Sequence, residues 1–354
     1  MGHYSIWLEH YHNCRDKILE DLKSYKKGII VFPRSGESIS LGKYNITPFD
    51  CFIVNHLAIV NGKENIGNTE FLYYALLALD KFIEEEISGT SLPYLKTADI
   101  KLRKILYPNF LEQSRIATVL SWFDDLIENK KRQNEILEKT AEAIFKNWFI
   151  DFEPFKNGEF VDSELGKIPE GWKIKHMKRE TEVIMGQSPP SKYYNEDGIG
   201  IPFIQGKGQF GRHTPDTTIF CSIEGKLAKT YDILITVRAP VGELNLADKE
   251  YVIGRGVASL RTTYWTFLYL YLLTNKELLK SYERGTTYDA ITREELENFP
   301  ILIPPSPTLQ KFHSLVAPLF QKILLNQKQI MILRKVRDTF LPLLVFGKLR
   351  VEEI

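Results

Sequence analysis

A segment of this chain returns, little changed, 196 positions further on. Phe71-Leu-Tyr-Tyr-Ala-Leu-Leu77 reappears as Phe267-Leu-Tyr-Leu-Tyr-Leu-Leu273. The same offset carries Gly89-Thr90 onto Gly285-Thr286, Pro108 onto Pro304, Gln133 onto Gln329 and Leu137 onto Leu333. Asn129 and Lys131 meet Asn326 and Lys328 at an offset of 197. One match means little, but an offset held from Phe71 to Leu137 indicates duplication. A period this long is no solenoid repeat of 20 to 50 residues; it is two copies of one domain-plus-helix unit.

Each unit ends in a helix with an apolar seam. In the first copy the seam steps by three and four through Ile116, Leu120, Phe123 and Ile127, then Leu137, Ala141, Ile144 and Trp148, with Lys130 and Asn134 between. In the second it runs through Leu309, Phe312, Val316, Leu319, Ile323, Asn326, Ile330 and Leu333. A 3.5-residue spacing keeps one stripe facing a partner helix. Two ordinary amphipathic core helices would also show apolar stripes. The polar seam positions favour a coiled-coil pair, because a buried Asn or Lys fixes register at some cost in stability. About 38 residues at 1.5 Å each make a rod of roughly 55–60 Å. Pro318 lies inside the second seam, so that helix should kink or begin afresh there. Antiparallel pairing would set the globular parts at opposite ends. Turn formers in Asp151-Phe-Glu-Pro-Phe-Lys-Asn-Gly158 end the first rod.

Between the helices the pattern is mixed. Gly28–Phe32 and Tyr231–Val237 are β-rich runs, each followed by an arginine and a turn, and Leu268–Tyr282 reads as a helix ending at Gly285. The expected class is α/β (α+β), with strands in short irregular groups. The expected organisation is a first domain at 1–108, a helix at 109–152, a second domain at 153–304 and a helix at 305–354. A length of 354 residues suits two domains. The three cysteines, Cys14, Cys51 and Cys221, are far apart and form neither a disulfide framework nor a zinc site. The sequence has neither an apolar run long enough to span a membrane nor a secretory leader at its start, so a cytoplasmic location is expected.

Motifs for chemistry fail on inspection. Gly206-Lys-Gly-Gln-Phe-Gly211 matches GxGxxG, but a turn, Arg212-His-Thr-Pro-Asp216, follows where a helix is needed. Ser188-Pro-Pro-Ser191 is like the proline-rich loop with which amino-methyltransferases hold a flipped base, yet Ser191 is not the stacking aromatic that loop requires. No Walker A, HExxH or GxSxG string is present. The seven histidines are scattered, so no catalytic residue, metal ligand or cofactor site is assigned.

Motifs for binding are richer. Met185–Tyr194 and Ile201–Gly208 interleave Gly and Ser with Tyr, Gln and Lys. From Trp172 to Arg212 there are seven basic and four acidic residues, although the whole chain is balanced, with 46 Lys+Arg against 45 Asp+Glu. Ser, Tyr and Lys can reach phosphates, and Gln and Arg can bond base edges in the major groove. The candidates are Gln187, Ser188, Lys192, Tyr193, Tyr194, Gln205, Lys207, Arg212, Arg238 and Arg255, with Thr286 and Thr287 from the repeated Gly-Thr turn. Arg34 and Thr90 are their counterparts in the first copy. A polar surface that binds nothing fits the same residues, and the Gly-Thr turns could equally be helix C-caps.

Taken together, the chain resembles the specificity (S) subunit of type I restriction–modification systems, from about Lys27 to Leu349. The residues that carry this are Met185-Gly-Gln-Ser-Pro-Pro190, Tyr231–Gly242, Gly285-Thr-Thr287, Phe299–Pro305 and Glu112-Gln-Ser-Arg-Ile-Ala117. The resemblance implies two target-recognition domains, each reading half of a split DNA site, spaced by an antiparallel helix pair. It implies double-stranded DNA, methyltransferase (M) and restriction (R) subunits as partners, with no catalysis, cofactor, small-molecule substrate or membrane contact of its own. On the helices the partner and seam positions are Ile116, Leu120, Phe123, Ile127, Leu137, Ile144, Phe312, Val316, Ile323, Asn326, Ile330 and Leu333. A coiled-coil adaptor that binds only protein is the rival. About sixty residues separate Trp172 from the Asp232 strand, and only about thirty precede Ile29. The first domain thus lacks a match to the Gln-Ser-Pro-Pro loop, and DNA contacts are assigned mainly to the second.

Overall fold

The computed structural model describes residues 24–33, 44–53, 57–63, 66–80, 104–164, 166–281 and 290–353. Arg34, Thr90, Thr286 and Thr287 lie outside them, as do both Gly-Thr turns. The chain divides into two compact units: 1–128 with 331–354, and 129–330. It is an α+β protein whose two long helices, Phe110–Phe149 and Ser306–Val345, each contribute to both units.

In the first unit, strand Ile30–Pro33 lies between Asn45–Ile46 and Leu57–Val60, antiparallel to both. The helix Thr69–Asp80 carries the repeated motif and starts at Asn68, whose Oδ1 accepts the Phe71 amide at 2.9 Å. Its Leu76 joins Ile30, Phe32, Tyr44 and Ala58 under the sheet. Phe71, Tyr74, Ala75 and Ala78 pack instead on Ile116, Ala117, Leu120, Leu341, Leu344 and Val345. Apolar residues all round this helix are thereby explained: it is covered on both sides. Gln113, fully buried, ties the start of the long helix down. Its side chain accepts the Asn68 amide at 2.9 Å and donates to Pro108 O at 2.8 Å.

The second unit repeats the plan and adds to it. Strand Ile233–Thr236 lies between Leu244–Leu246 and Val257–Arg261, again antiparallel, and Glu182–Met185 adds a fourth strand beside Val257–Arg261. Among the described residues the first unit has no such fourth strand. A second sheet runs Tyr194–Asn195, Phe220–Cys221, Ile201–Ile204, Tyr251–Ile253, Leu227–Ala228, with Ile201–Ile204 and Tyr251–Ile253 parallel. Pro300–Ile303 pairs with Lys173–His176. The helix Trp265–Thr274 is the second copy of the motif and is buried almost throughout.

The long helices run antiparallel within each unit. In the second, Asn326 donates to Asn134 Oδ1 at 2.8 Å, Lys130 donates to Gln329 at 2.6 Å, and Phe149 meets Phe312 edge-on with centroids 4.7 Å apart. In the first, Phe123 stacks on Phe340 at 6.3 Å, and Arg337 pairs with Asp124, which also accepts the Tyr74 hydroxyl at 2.7 Å. Ile116, Leu120, Ile127, Asn134, Phe312, Val316, Ile323, Asn326 and Ile330 are buried as the seam requires; Phe123, Leu137, Ile144 and Leu333 are half-buried.

Three sequence expectations need correction. Of the two outcomes expected at Pro318, a kink or a fresh start, the fresh start is absent: the second long helix runs unbroken from Ser306 to Val345. Pro318 is exposed, and its missing N–H costs the helix one bond, to the carbonyl of Ser314, which is also exposed as a residue. Near the end of the first long helix the buried stripe is Ala141, Phe145 and Phe149, not Ile144 and Trp148. Steps of four replace steps of three because those rings pack on Phe267 and Trp172 of the globular part as well as on Phe312. The expected single helix Leu268–Tyr282 is broken at Asn275 into Trp265–Thr274 and Lys276–Ser281. There the Asn275 side chain donates to Tyr271 O at 2.8 Å and caps the first piece.

Candidate nucleic-acid interface

Backbone pairing brings five of the fourteen sequence candidates close together. Thr236 lies opposite Val257, and the pairing continues as Val237 N donates to Gly256 O at 3.0 Å. Arg238, next in the chain, forms an antiparallel bridge with Ala290, and Arg255 sits beside Gly256 in a turn closed by Val257 N donating to Gly254 O at 3.0 Å. On the other side of the strand Val257–Arg261, Met185 faces Ala258 and Gly186 N donates to Val257 O at 2.9 Å, which brings Gln187 and Ser188 beside Gly256 and Arg255. The Ser188 hydroxyl accepts the Arg255 amide at 3.1 Å. Gln205 follows the strand Ile201–Ile204 of the second sheet, and its carbonyl lies so near Gly256 that a Cβ there would sit 2.2 Å away. Gly186 and Gly254 face each other as tightly, a Cβ on the former falling 2.2 Å from Gly254 O. Glycine is therefore required where the three chain segments cross.

Gln187, Gln205, Arg238 and Arg255 are all exposed at this sheet end, and among the described residues neither guanidinium has an ion-pair partner. Two planar amides and two planar cations thus share one edge, the donor and acceptor types that make bidentate bonds to bases.

Other candidates are placed differently. Lys192 lies over the Tyr193 ring at 4.9 Å, in a single 3₁₀ turn, Ser191–Tyr193. Tyr194 stacks on Phe203 with centroids 4.5 Å apart, and its hydroxyl donates to Pro189 O at 2.7 Å. Burial holds that phenol above its usual pKa, so it supports the loop as a neutral donor. Lys207 is not free: it donates to Glu243 at 2.7 Å, and Lys276 reaches the same carboxylate at 2.5 Å. Burial pushes Glu243 up, but hydrogen bonds from the two lysines outweigh it and leave its pKa low. Arg212 is turned to the first long helix, with Nη1 2.9 Å from Glu135 and Nη2 3.5 Å from Glu138. The residues 206–211 contain one 3₁₀ turn and no helix, so the GxGxxG string lacks the helix N-terminus that a dinucleotide needs.

The sequence reading missed a second layer. Asp232 is buried and holds Arg261 through two bonds, at 3.0 and 2.8 Å, while accepting the Ser259 hydroxyl at 2.7 Å. This network locks the pair of strands whose far ends carry Arg238 and Arg255. Asp232 next to the β run, with Ser259 and Arg261 two apart, was a readable signal only once the pairing was known.

Against known proteins, the family described as "Type I restriction modification DNA specificity domain" matches residues 16–139 and 169–333. The chain is 41% identical over 305 residues to the type I restriction enzyme MjaIX specificity subunit of Methanocaldococcus jannaschii, covering 81% of this chain and 70% of that one. It is 31% identical over 350 residues to the putative MjaX specificity subunit of the same organism, covering 94% and 81%. In fold it is similar to the crystal structure of a type I restriction–modification S subunit from M. genitalium, with a TM-score of 0.61 at 20% identity, covering 91% of this chain and 84% of that one. With two family domains accounting for both copies of the repeat, the chain belongs to the type I restriction–modification DNA specificity subunits, the proteins that recognise DNA sequence for these systems.

Proposed function

We propose that the sheet end bearing Gln187, Gln205, Arg238 and Arg255 reads one half of a split DNA site. Ser188, Lys192, Tyr193 and Tyr194 form the adjoining loop, placed to meet the phosphate backbone. The single observation that carries this reading is the convergence around residues 254–256 of four chain segments, each with an exposed bidentate side chain just beyond a strand end. The chain itself performs no chemistry; it binds double-stranded DNA in the cytoplasm and recruits methyltransferase subunits, and for cleavage restriction subunits. An open apolar groove along the two long helices, lined by Ile136, Ala143, Ile144, Trp148 and Leu315, supports the helices as the docking place for a methyltransferase subunit. Arg34, Thr90, Thr286 and Thr287 remain proposed contacts.

The test is duplex binding by the complex with its methyltransferase subunits. Arg255→Ala or Arg238→Ala should weaken preference at one base pair by about 1–3 kcal/mol, with other positions unchanged. Log affinity should fall steeply with log salt, since phosphate contacts release counterions. A flat salt response, or no preference to lose, would return the chain to the rival reading of a protein adaptor.

A further inference from the structure

Arg212 and the helix carboxylates it meets suggest a task apart from contact with bases. The loop Gly211–Asp216 turns back on itself, with Gly211 N donating to Thr214 O at 3.1 Å and Asp216 N to Gln209 O at 2.9 Å. Its Arg212 crosses to the first long helix and bonds Glu135 and Glu138, one turn apart on the same face. His213 is buried beside them, with Nδ1 3.7 Å from Glu138 and Nε2 without a hydrogen-bond partner. Burial, with Arg212 alongside, pushes this imidazole down to about 4, so it sits there neutral. The other face of the loop is tied to the reading domain: Leu246 N donates to His213 O at 3.0 Å, and Asn245 donates to Gly211 O at 3.0 Å. Gln209 completes the path, since its Oε1 accepts the backbone amides of Gln205 and Gly206 at 3.3 and 3.2 Å.

We propose that Arg212, with Glu135 and Glu138, is a positioning clamp that fixes the angle of the reading surface on the long helix, and so sets which half-site spacing is accepted. The idea rests on the DNA reading proposed above. The apolar anchor of the domain runs along both long helices: Phe145 and Phe149 meet Phe267 and Trp172 about two turns beyond Glu138, and Phe320 meets Trp265 and Tyr269. The ion pairs at Glu135 and Glu138 hold a different part of the domain, the loop that Gln209 joins to Gln205 and Gly206 at the reading surface. An exposed ion pair adds little stability, but one base pair of spacer is only about 3.4 Å. A small restraint on angle thus discriminates between spacings without touching a base.

The test compares the complex carrying Arg212→Ala, the pair Glu135→Gln with Glu138→Gln, and the charge swap Arg212→Glu with Glu135→Arg. Methylated sites in cellular DNA are mapped for each, and amide hydrogen exchange of the full chain is followed at 209–216. The expected result is an unchanged half-site sequence, a several-fold rise in sites one base pair too short or too long, faster exchange in the loop, and recovery of single spacing in the swap. Unchanged exchange and spacing would overturn the clamp, as would loss of one base preference at constant spacing, which would make Arg212 a base contact. Failure of the DNA reading itself would look different: the unaltered complex would show no split site, while the exchange measurement would still decide whether the loop is held.

Discussion

At the scale of single residues, the candidates divide by what already satisfies them. Arg238 and Arg255 keep their donors for a ligand, whereas Lys207 and Lys276 share Glu243 and Arg212 shares Glu135 and Glu138. On the proposed reading, Glu243 withholds these two cations from the DNA backbone. Glu243→Gln should release both, raising affinity for duplexes of any sequence and steepening the salt slope by up to about 2, at roughly 0.9 per added phosphate contact. Titrating random-sequence duplex into the complex at several salt concentrations measures this. An unaltered slope would mean that the lysines face away from DNA.

At the scale of elements, the polar seam positions decide how the helices pair. Asn134 and Asn326 are buried against each other in a mainly apolar stripe. Asn326→Leu alone leaves the Asn134 amide buried without its partner and should lower stability by about 1–3 kcal/mol in urea unfolding. The double change to Leu should recover most of that loss, because a matched apolar pair has nothing left unsatisfied. It should also loosen register, seen as additional cross-linking positions between engineered cysteines. Equal loss in the single and double variants would contradict this account.

For the whole molecule, the balance of 46 basic and 45 acidic residues means that DNA affinity comes from a local face rather than from overall charge. On the proposed reading, assembly uses a different face. Ile136, 65% exposed, contributes to the groove on the helices while the seam lies elsewhere. Ile136→Glu should leave the thermal midpoint within a degree or two of normal and yet weaken co-purification with methyltransferase subunits at least tenfold. Full assembly by that variant would move the docking surface off the groove.

The duplication, the two long helices, the polar residues in their seam and the family were legible in the sequence. Each is a local pattern repeated along the chain, and 3.5-residue periodicity needs no knowledge of the fold to be seen. Gln187, Gln205 and Arg255 were found by residue type alone, but their convergence follows from backbone pairing between segments more than 70 residues apart, such as Met185 and Ala258, which no local pattern encodes. Arg212 makes the same point in reverse: as a basic residue in a Gly-rich loop it had the composition of a DNA contact, and only the packing of that loop on Glu135 and Glu138 gave its charge another partner. What a side chain is able to bond is set by its chemistry; what it does bond is settled by whichever group the folded chain brings within about 3 Å.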